Sequence, residues 1–139
     1  MNIEKIYYEN LKFFSKLLKE YNPFIFYGTL LGFVRDGSFI KNDDDIDFLI
    51  DIKSKENVVE KFKTLENFTI NEKFESDYFT QLINKDGDYR ICIDFYFYIN
   101  NSSDEYIVEK HNWLSTINSY KHHLHIPKKL IFPLKENIK

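Results

Sequence analysis

The segment YGTLLGFVRDGSFIKNDDDIDFLID, residues 27–51, decides the fold of this 139-residue chain and indicates its chemistry. A turn at Gly28 and Thr29 precedes a short helical stretch, and a second glycine precedes a run of aspartates. At the end of that run Asp45 and Asp47 alternate with apolar residues, which is the two-residue period of a β-strand. Both carboxylates therefore lie on one face of the predicted sheet. Such a pair beside the start of a helix can hold a divalent cation and a phosphate together.

A third aspartate lies on the most apolar strand that the sequence predicts, residues 89–98. We expect this strand to be central in the sheet, because both of its faces are largely apolar. Burying the unpaired carboxylate of Asp94 there is costly, so it needs a partner. A metal ion shared with Asp45 and Asp47 would supply one, since three carboxylates suit the preference of Mg²⁺ for hard oxygen ligands.

A simpler interpretation of these acidic residues stays open. Residues 43–47 could form a solvated acidic turn, and Asp94 could pair with Arg90 or with a lysine. The glycine turn before the helix and the third aspartate on a core strand favour the metal site over this alternative.

The start of the helix that follows residues 24–27 is a candidate anion site. A strand that ends at Gly28 and opens a helix exposes backbone N–H groups, which bind anions. Thr29 is expected to cap this helix, which spans about residues 29–35. Arg35 could reach a phosphate or a carboxylate with two parallel hydrogen bonds. An ordinary capped turn at Gly28 and a surface salt bridge at Arg35 are the alternatives.

The remaining sequence predicts further helices and strands, in an α/β or α+β domain. Apolar residues at helical spacing indicate a helix over residues 3–21, which Asn22 and Pro23 end. Ser54 is the predicted N-cap of another helix. Further strands are predicted at residues 68–74, 78–83, 106–108 and 120–125. The chain length favours one domain over residues 1–139.

Composition and charge exclude several functional classes. The net charge is −3, and no stretch is basic enough to bind duplex nucleic acid. No apolar run reaches the length of about 18 residues that predicts a transmembrane helix, and the first residues lack the pattern of a signal peptide. Cys92 is the single cysteine, so we expect a cytoplasmic protein without disulfides. The histidines at 122, 123 and 125 fit no structural zinc spacing and are interpreted as solvated or packing residues.

Several of these motifs resemble those of the LicD family, which includes bacterial phosphocholine transferases and is related to fukutin and fukutin-related protein. The matching residues are most closely spaced at Gly28-Thr29-Leu30-Leu31-Gly32, Arg35, Gly37, Phe39-Ile40 and Asp43-Asp44-Asp45-Ile46-Asp47. Looser matches are Ile93-Asp94-Phe95 and residues 126–134. The family belongs to the nucleotidyltransferase-fold superfamily, so the resemblance implies a mixed β-sheet flanked by helices. Since family members usually continue past the last of these segments, a minimal or truncated version of the domain is expected.

The resemblance also implies roles for individual residues. Gly28 and Thr29 match the turn that contacts phosphates, Asp45 and Asp47 match the paired metal ligands, and Asp94 matches the third carboxylate. The metal would be Mg²⁺ or Mn²⁺.

We therefore expect a metal-dependent transferase that moves a phosphoryl-linked group, such as phosphocholine, from a CDP-activated donor to a sugar hydroxyl of a cell-surface glycan. Arg35 would neutralise charge on the leaving group. Two alternatives stay open. One is nucleotidyl transfer from an NTP to a small molecule or glycan. The other is a catalytically silent module that binds a nucleotide or a protein partner.

Overall fold

The computed structural model describes residues 3–38, 45–85, 91–100, 106–109 and 129–132. Within these residues, helices alternate with strands in the first half and strands follow in the second. The elements are α1 (Ile3–Leu17), β1 (Phe24–Ile25), α2 (Tyr27–Asp36), β2 (Asp45–Asp51), α3 (Lys55–Lys63), β3 (Phe68–Ile70), β4 (Phe79–Asn84), β5 (Cys92–Asn100), β6 (Tyr106–Glu109) and β7 (Lys129–Phe132). The predicted α/β class, a mixed sheet flanked by helices, is confirmed.

The described strands join in one sheet. Its main order is β1-β2-β5-β4-β3, and β6 pairs with the end of β5 and with β7. β2 and β5 run parallel, whereas β1 is antiparallel to β2, and β4 is antiparallel to both β5 and β3. The parallel register places Asp47 directly beside Asp94. β5 is thus the central strand, as its two apolar faces predict.

The hydrophobic core lies on one face of this sheet. Its residues from β2 and β5 are at most 1% exposed, and they are Ile46, Phe48, Ile50, Ile93, Phe95 and Phe97. Phe14 of α1 packs edge-to-face on Phe62 of α3 and on Phe95, with ring centroids 6.2 and 5.8 Å apart. Because strand residues alternate between faces, Asp47 and Asp94 lie on the face opposite this core.

The connection from β1 to α2 differs from the sequence prediction. The strand ends at Ile25, the helix begins at Tyr27, and Phe26 occupies the N-cap position. Thr29 lies inside the first turn of the helix, so its predicted role as N-cap is wrong. The physical reason is a tertiary contact: its hydroxyl accepts a hydrogen bond from the backbone of Asp47, 18 residues away.

Other element boundaries follow the sequence more closely. Ser54 is the N-cap residue of α3 but makes no side-chain cap. Gly37 ends α2 in the left-handed conformation, as the Asp-Gly turn predicts. β3 ends at Ile70, four residues before the predicted end of that strand. β7 is a strand that the sequence did not predict.

Three sequence predictions fall outside the described residues. They concern the strand at residues 120–125 with its histidines, Arg90 as a partner of Asp94, and the first two residues of the acidic turn, at 43 and 44. Among the described helices, none is long and apolar enough to cross a membrane.

Phe14→Ala should lower the free energy of unfolding by about 3–5 kcal/mol, because truncating a fully buried ring leaves a cavity. The ring also contacts those of Phe62, Phe68 and Phe95. Phe13→Ala is the matched control, because the neighbouring ring is 45% exposed, and it should cost about 1 kcal/mol or less. Urea unfolding followed by circular dichroism measures both losses. Equal losses would contradict the assignment of Phe14 to the core.

Candidate metal centre

Three carboxylates meet on the face of the sheet opposite the hydrophobic core. Asp45 and Asp47 lie on β2 and Asp94 lies on β5, and one carboxylate oxygen of each is within 4.8 Å of those of the other two. Asp47 and Asp94 are 3% and 2% exposed, whereas Asp45 is half-buried. The parallel register fixes these positions through the backbone. The structure therefore brings together all three carboxylates that the sequence singles out.

This arrangement fits a divalent cation such as Mg²⁺ or Mn²⁺. Mg²⁺ binds oxygen ligands at about 2.1 Å in octahedral geometry, so ligands on opposite sides of one ion lie about 4.2 Å apart. The 4.8 Å limit in the carboxylate cluster is close to that separation. Three carboxylates at this distance concentrate negative charge, which a divalent cation would neutralise. Burial of two of them distinguishes the cluster from an ordinary solvated acidic patch.

The first turn of α2 holds the backbone of Asp47 on both sides. The N–H of Asp47 donates to the Thr29 hydroxyl at 2.9 Å, and its C=O accepts from the Phe26 N–H at 2.9 Å. Tyr7 of α1 donates its hydroxyl to the same Thr29 oxygen at 3.2 Å. Thr29 is fully buried, so its side chain joins α1, α2 and β2. Its hydroxyl therefore positions Asp47.

The backbone at the start of α2 provides the candidate phosphate site. The first N–H groups of a helix lack an acceptor within the helix, and here they belong to Tyr27, Gly28 and Thr29. They adjoin the carboxylate cluster, because Phe26 just before them bonds to Asp47. The predicted contact of Gly28 and Thr29 with a phosphate can thus be made by backbone N–H groups. That contact stays a prediction.

Aromatic rings anchor the start of α2 to the central strand. Phe26 packs edge-to-face on Tyr96, with ring centroids 5.7 Å apart, and Tyr96 packs in the same way on Phe79 at 5.0 Å. Tyr96 follows Asp94 by two residues and lies on the same face of β5. These contacts therefore fix the helix start relative to Asp94 as well as to Asp47.

Arg35 forms an ion pair with its neighbour Asp36 at the far end of α2. Its Nη2 lies 2.9 Å from Asp36 Oδ2, and its Nε donates to both carboxylate oxygens at 3.1 Å. Hydrogen bonding between the two side chains raises the pKa of Arg35 and lowers the pKa of Asp36. Both side chains are about half exposed, so solvent screens the pair. The surface salt bridge is the interaction present, and phosphate binding by Arg35 stays a prediction.

A buried glutamine that was not predicted from the sequence contacts Asp94. Gln81 of β4 lies opposite Asp94 in the antiparallel register, and its Nε2 donates to Asp94 Oδ1 at 2.9 Å. Its Oε1 accepts from Asn71 Nδ2 at 2.9 Å. The signal in the sequence is an amide side chain inside the apolar strand YFTQLI, residues 78–83. Such a residue needs a buried partner, as an aspartate in an apolar strand does.

Thr29→Val should lower the free energy of unfolding by about 1–3 kcal/mol, because it removes the acceptor of two buried hydrogen bonds, from Asp47 and Tyr7, and keeps the side-chain shape. Thr29→Ser keeps the hydroxyl, loses one methyl group, and should cost about 1 kcal/mol. Urea unfolding of both variants measures the difference. A valine variant as stable as the serine variant would show that the hydroxyl does not hold Asp47.

A family model described as the LicD/FKTN/FKRP nucleotidyltransferase domain matches residues 21–137. The match includes the start of α2 and all three carboxylates of the cluster. No curated protein and no solved structure gave a match to this chain. The matched range covers most of the sequence, and the members of this family are generally transferases. The chain therefore belongs to the LicD/FKTN/FKRP family, and so to a family of transferases.

Proposed function

We propose that the protein is a metal-dependent transferase that moves a phosphoryl-linked group, such as phosphocholine, from a CDP-activated donor to a sugar hydroxyl of a cell-surface glycan. The observation that carries this proposal is the cluster of Asp45, Asp47 and Asp94 beside the start of α2. Family membership supports a transferase in general. The donor, the acceptor and the need for a cation are parts of the proposal.

Each group in the cluster has a distinct role in this reaction. Asp45, Asp47 and Asp94 would hold Mg²⁺ or Mn²⁺, which would supply positive charge beside the donor phosphates. Backbone N–H groups of Gly28 and Thr29 bind phosphate oxygens at the start of α2. Asp94 accepts the proton of the acceptor hydroxyl. The acceptor oxygen then bonds to the phosphorus that carries the alcohol, the diphosphate bridge breaks, and CMP leaves.

Arg35 can exchange its ion pair with Asp36 for another partner at small energetic cost. Its ion pair with Asp36 is exposed, and exposed pairs contribute little to stability. A donor diphosphate would offer Arg35 a stronger, doubly charged partner with the geometry that guanidinium groups prefer. In the proposed reaction Arg35 leaves Asp36 and neutralises charge that develops on the leaving nucleotide.

A second candidate function is nucleotidyl transfer from an NTP to a small molecule or glycan. The description of the matching family model as a nucleotidyltransferase domain favours it. The same carboxylates and the same helix start would serve, with pyrophosphate as the leaving group. A third possibility is a catalytically silent module that binds a nucleotide with its cation and catalyses no transfer.

We further propose that residues 1–139 act as one domain in the cytoplasm, without nucleic acid as a partner. The net charge of −3 disfavours binding to a polyanion. Cys92, half-buried on β5, is the single cysteine of the sequence, which is compatible with a reducing compartment.

Asp47→Asn should lower turnover by at least roughly 100-fold, because charge stabilisation by carboxylate-held cations is a large part of phosphoryl-transfer catalysis. The amide keeps the size of the side chain and both backbone hydrogen bonds of residue 47, so the fold should persist. Asp51→Asn is the matched control on the same strand face: Asp51 accepts from the Lys53 N–H and lies outside the carboxylate cluster. Release of CMP from a CDP-alcohol measures turnover. Unchanged turnover in Asp47→Asn would overturn the proposed function.

Thermal shifts with CDP-alcohols and NTPs, each with and without Mg²⁺, should identify the donor class. A donor present at 100 times its Kd stabilises the folded protein by about 2.7 kcal/mol, which is readily measured. The shift should require Mg²⁺ and should disappear in Asp45→Asn. A shift with NTPs alone would favour nucleotidyl transfer. A metal-dependent shift without turnover on any acceptor would favour the silent module.

A further inference from the structure

We propose that Gln81 is a positioning residue that orients the Asp94 carboxylate for the cation, an inference that rests on the proposed metal-dependent function. Three hydrogen bonds form a continuous path, here named the amide chain. The Lys73 N–H donates to Asn71 Oδ1 at 3.3 Å, and Asn71 Nδ2 donates to Gln81 Oε1 at 2.9 Å. Gln81 Nε2 then donates to Asp94 Oδ1 at 2.9 Å.

The direction of every bond in the amide chain is fixed by its two ends. A backbone N–H can only donate, so Lys73 selects the oxygen of the Asn71 amide. The NH₂ group of Asn71 is thereby directed to the carbonyl oxygen of Gln81. The NH₂ group of Gln81 remains for Asp94, and an ionised carboxylate can only accept. The Lys73 N–H and the Asp94 carboxylate therefore require the same orientation of the two amides, in which Gln81 donates a hydrogen bond to Asp94.

The sheet leaves Gln81 little freedom to adopt another arrangement. Gln81 and Asp94 lie opposite each other in the antiparallel register of β4 and β5, and they are only 7% and 2% exposed. The backbone N–H of Asn71 also donates to the C=O of Gln81 at 2.9 Å, so these two residues are joined twice. The hydrogen bond from Gln81 to Asp94 is buried, so water competes little for it. One oxygen of Asp94 is thus held, and the direction of the other is fixed with it.

A fixed Asp94 matters because its neighbours in the cluster repel it before a cation binds. Like charges within 4.8 Å favour any rotation that separates them, and the hydrogen bond from Gln81 opposes that rotation. Hydrogen bonds that orient metal ligands are commonly worth about 10–100-fold in metal affinity. Gln81 therefore keeps the three-carboxylate arrangement ready for the cation without binding the cation itself.

The residue next to Gln81 offers a matched control. Thr80 is fully buried on the opposite face of β4, and its hydroxyl donates to Glu75 Oε1 at 2.6 Å. Thr80→Val therefore removes one part-buried side-chain hydrogen bond from the same strand without touching the carboxylate cluster. Gln81→Met keeps the length of the side chain and removes its bonds to Asn71 and Asp94.

The test is a Mn²⁺ titration of the full chain, in which electron paramagnetic resonance reports the free ion. Gln81→Met should weaken Mn²⁺ binding by about 10–100-fold. Thr80→Val should change it by no more than about twofold, because the Thr80 side chain lies on the opposite face of β4 and bonds to Glu75. Asn71→Leu, which removes the bond to Gln81 and leaves the bond from Gln81 to Asp94, should weaken binding by a smaller factor than Gln81→Met. Circular dichroism verifies that each variant is folded, and urea midpoints report the loss of stability that both buried substitutions share.

The outcomes separate this proposal from the proposed function. Wild-type Mn²⁺ affinity in Gln81→Met, together with lost binding in Asp47→Asn, would overturn the role of Gln81 and leave the metal-dependent function standing. Equal weakening in Thr80→Val would overturn it too, since the effect would then be a general loss of structure. If Gln81→Met fails to fold, wild-type affinity in Asn71→Leu overturns the amide chain. If wild type binds Mn²⁺ no better than Asp47→Asn, both proposals fail.

Discussion

The parallel pairing of β2 with β5 is the constraint on which the rest of the structure depends. It sets Asp47 beside Asp94 on one face and Phe48 beside Phe95 on the other, where the two rings stack with centroids 5.5 Å apart. Repulsion between carboxylates opposes this pairing, while backbone hydrogen bonds and burial of the aromatic rings favour it. A charged cluster of this kind is tolerated because the apolar face of the same two strands supplies the stabilisation.

The start of α2 contacts both strands of this pair. Phe26 bonds to the Asp47 backbone and packs on Tyr96, so one residue connects the helix to both parallel strands. Thr29 and Tyr7 extend the connection to α1. The helix start is therefore positioned by buried contacts on three sides. The first backbone N–H groups of the helix have no acceptor within the helix, so they can bind a ligand while these contacts hold the helix in place.

Much of this site could be predicted from local periodicity, and the parts that could not depend on distant partners. Strand alternation assigned Asp45 and Asp47 to one face of their strand, and the cost of burying an unpaired acid linked Asp94 to them. Capping rules misplaced the start of α2, because the hydroxyl of Thr29 bonds to β2 instead of its own helix. Gln81 was missed because only the register of β4 on β5 reveals its partner. The family resemblance, by contrast, was confirmed over residues 21–137.

The long path between the two parallel strands has a consequence for folding kinetics. α3, β3 and β4 lie between Asp47 and Asp94 along the chain, so bringing these two residues together closes a loop of nearly fifty residues. Pairings between such distant segments form slowly and late. An unfolded or half-folded chain therefore holds no complete set of three carboxylates. A divalent ion would therefore not nucleate folding. It would bind only after β2 and β5 have paired.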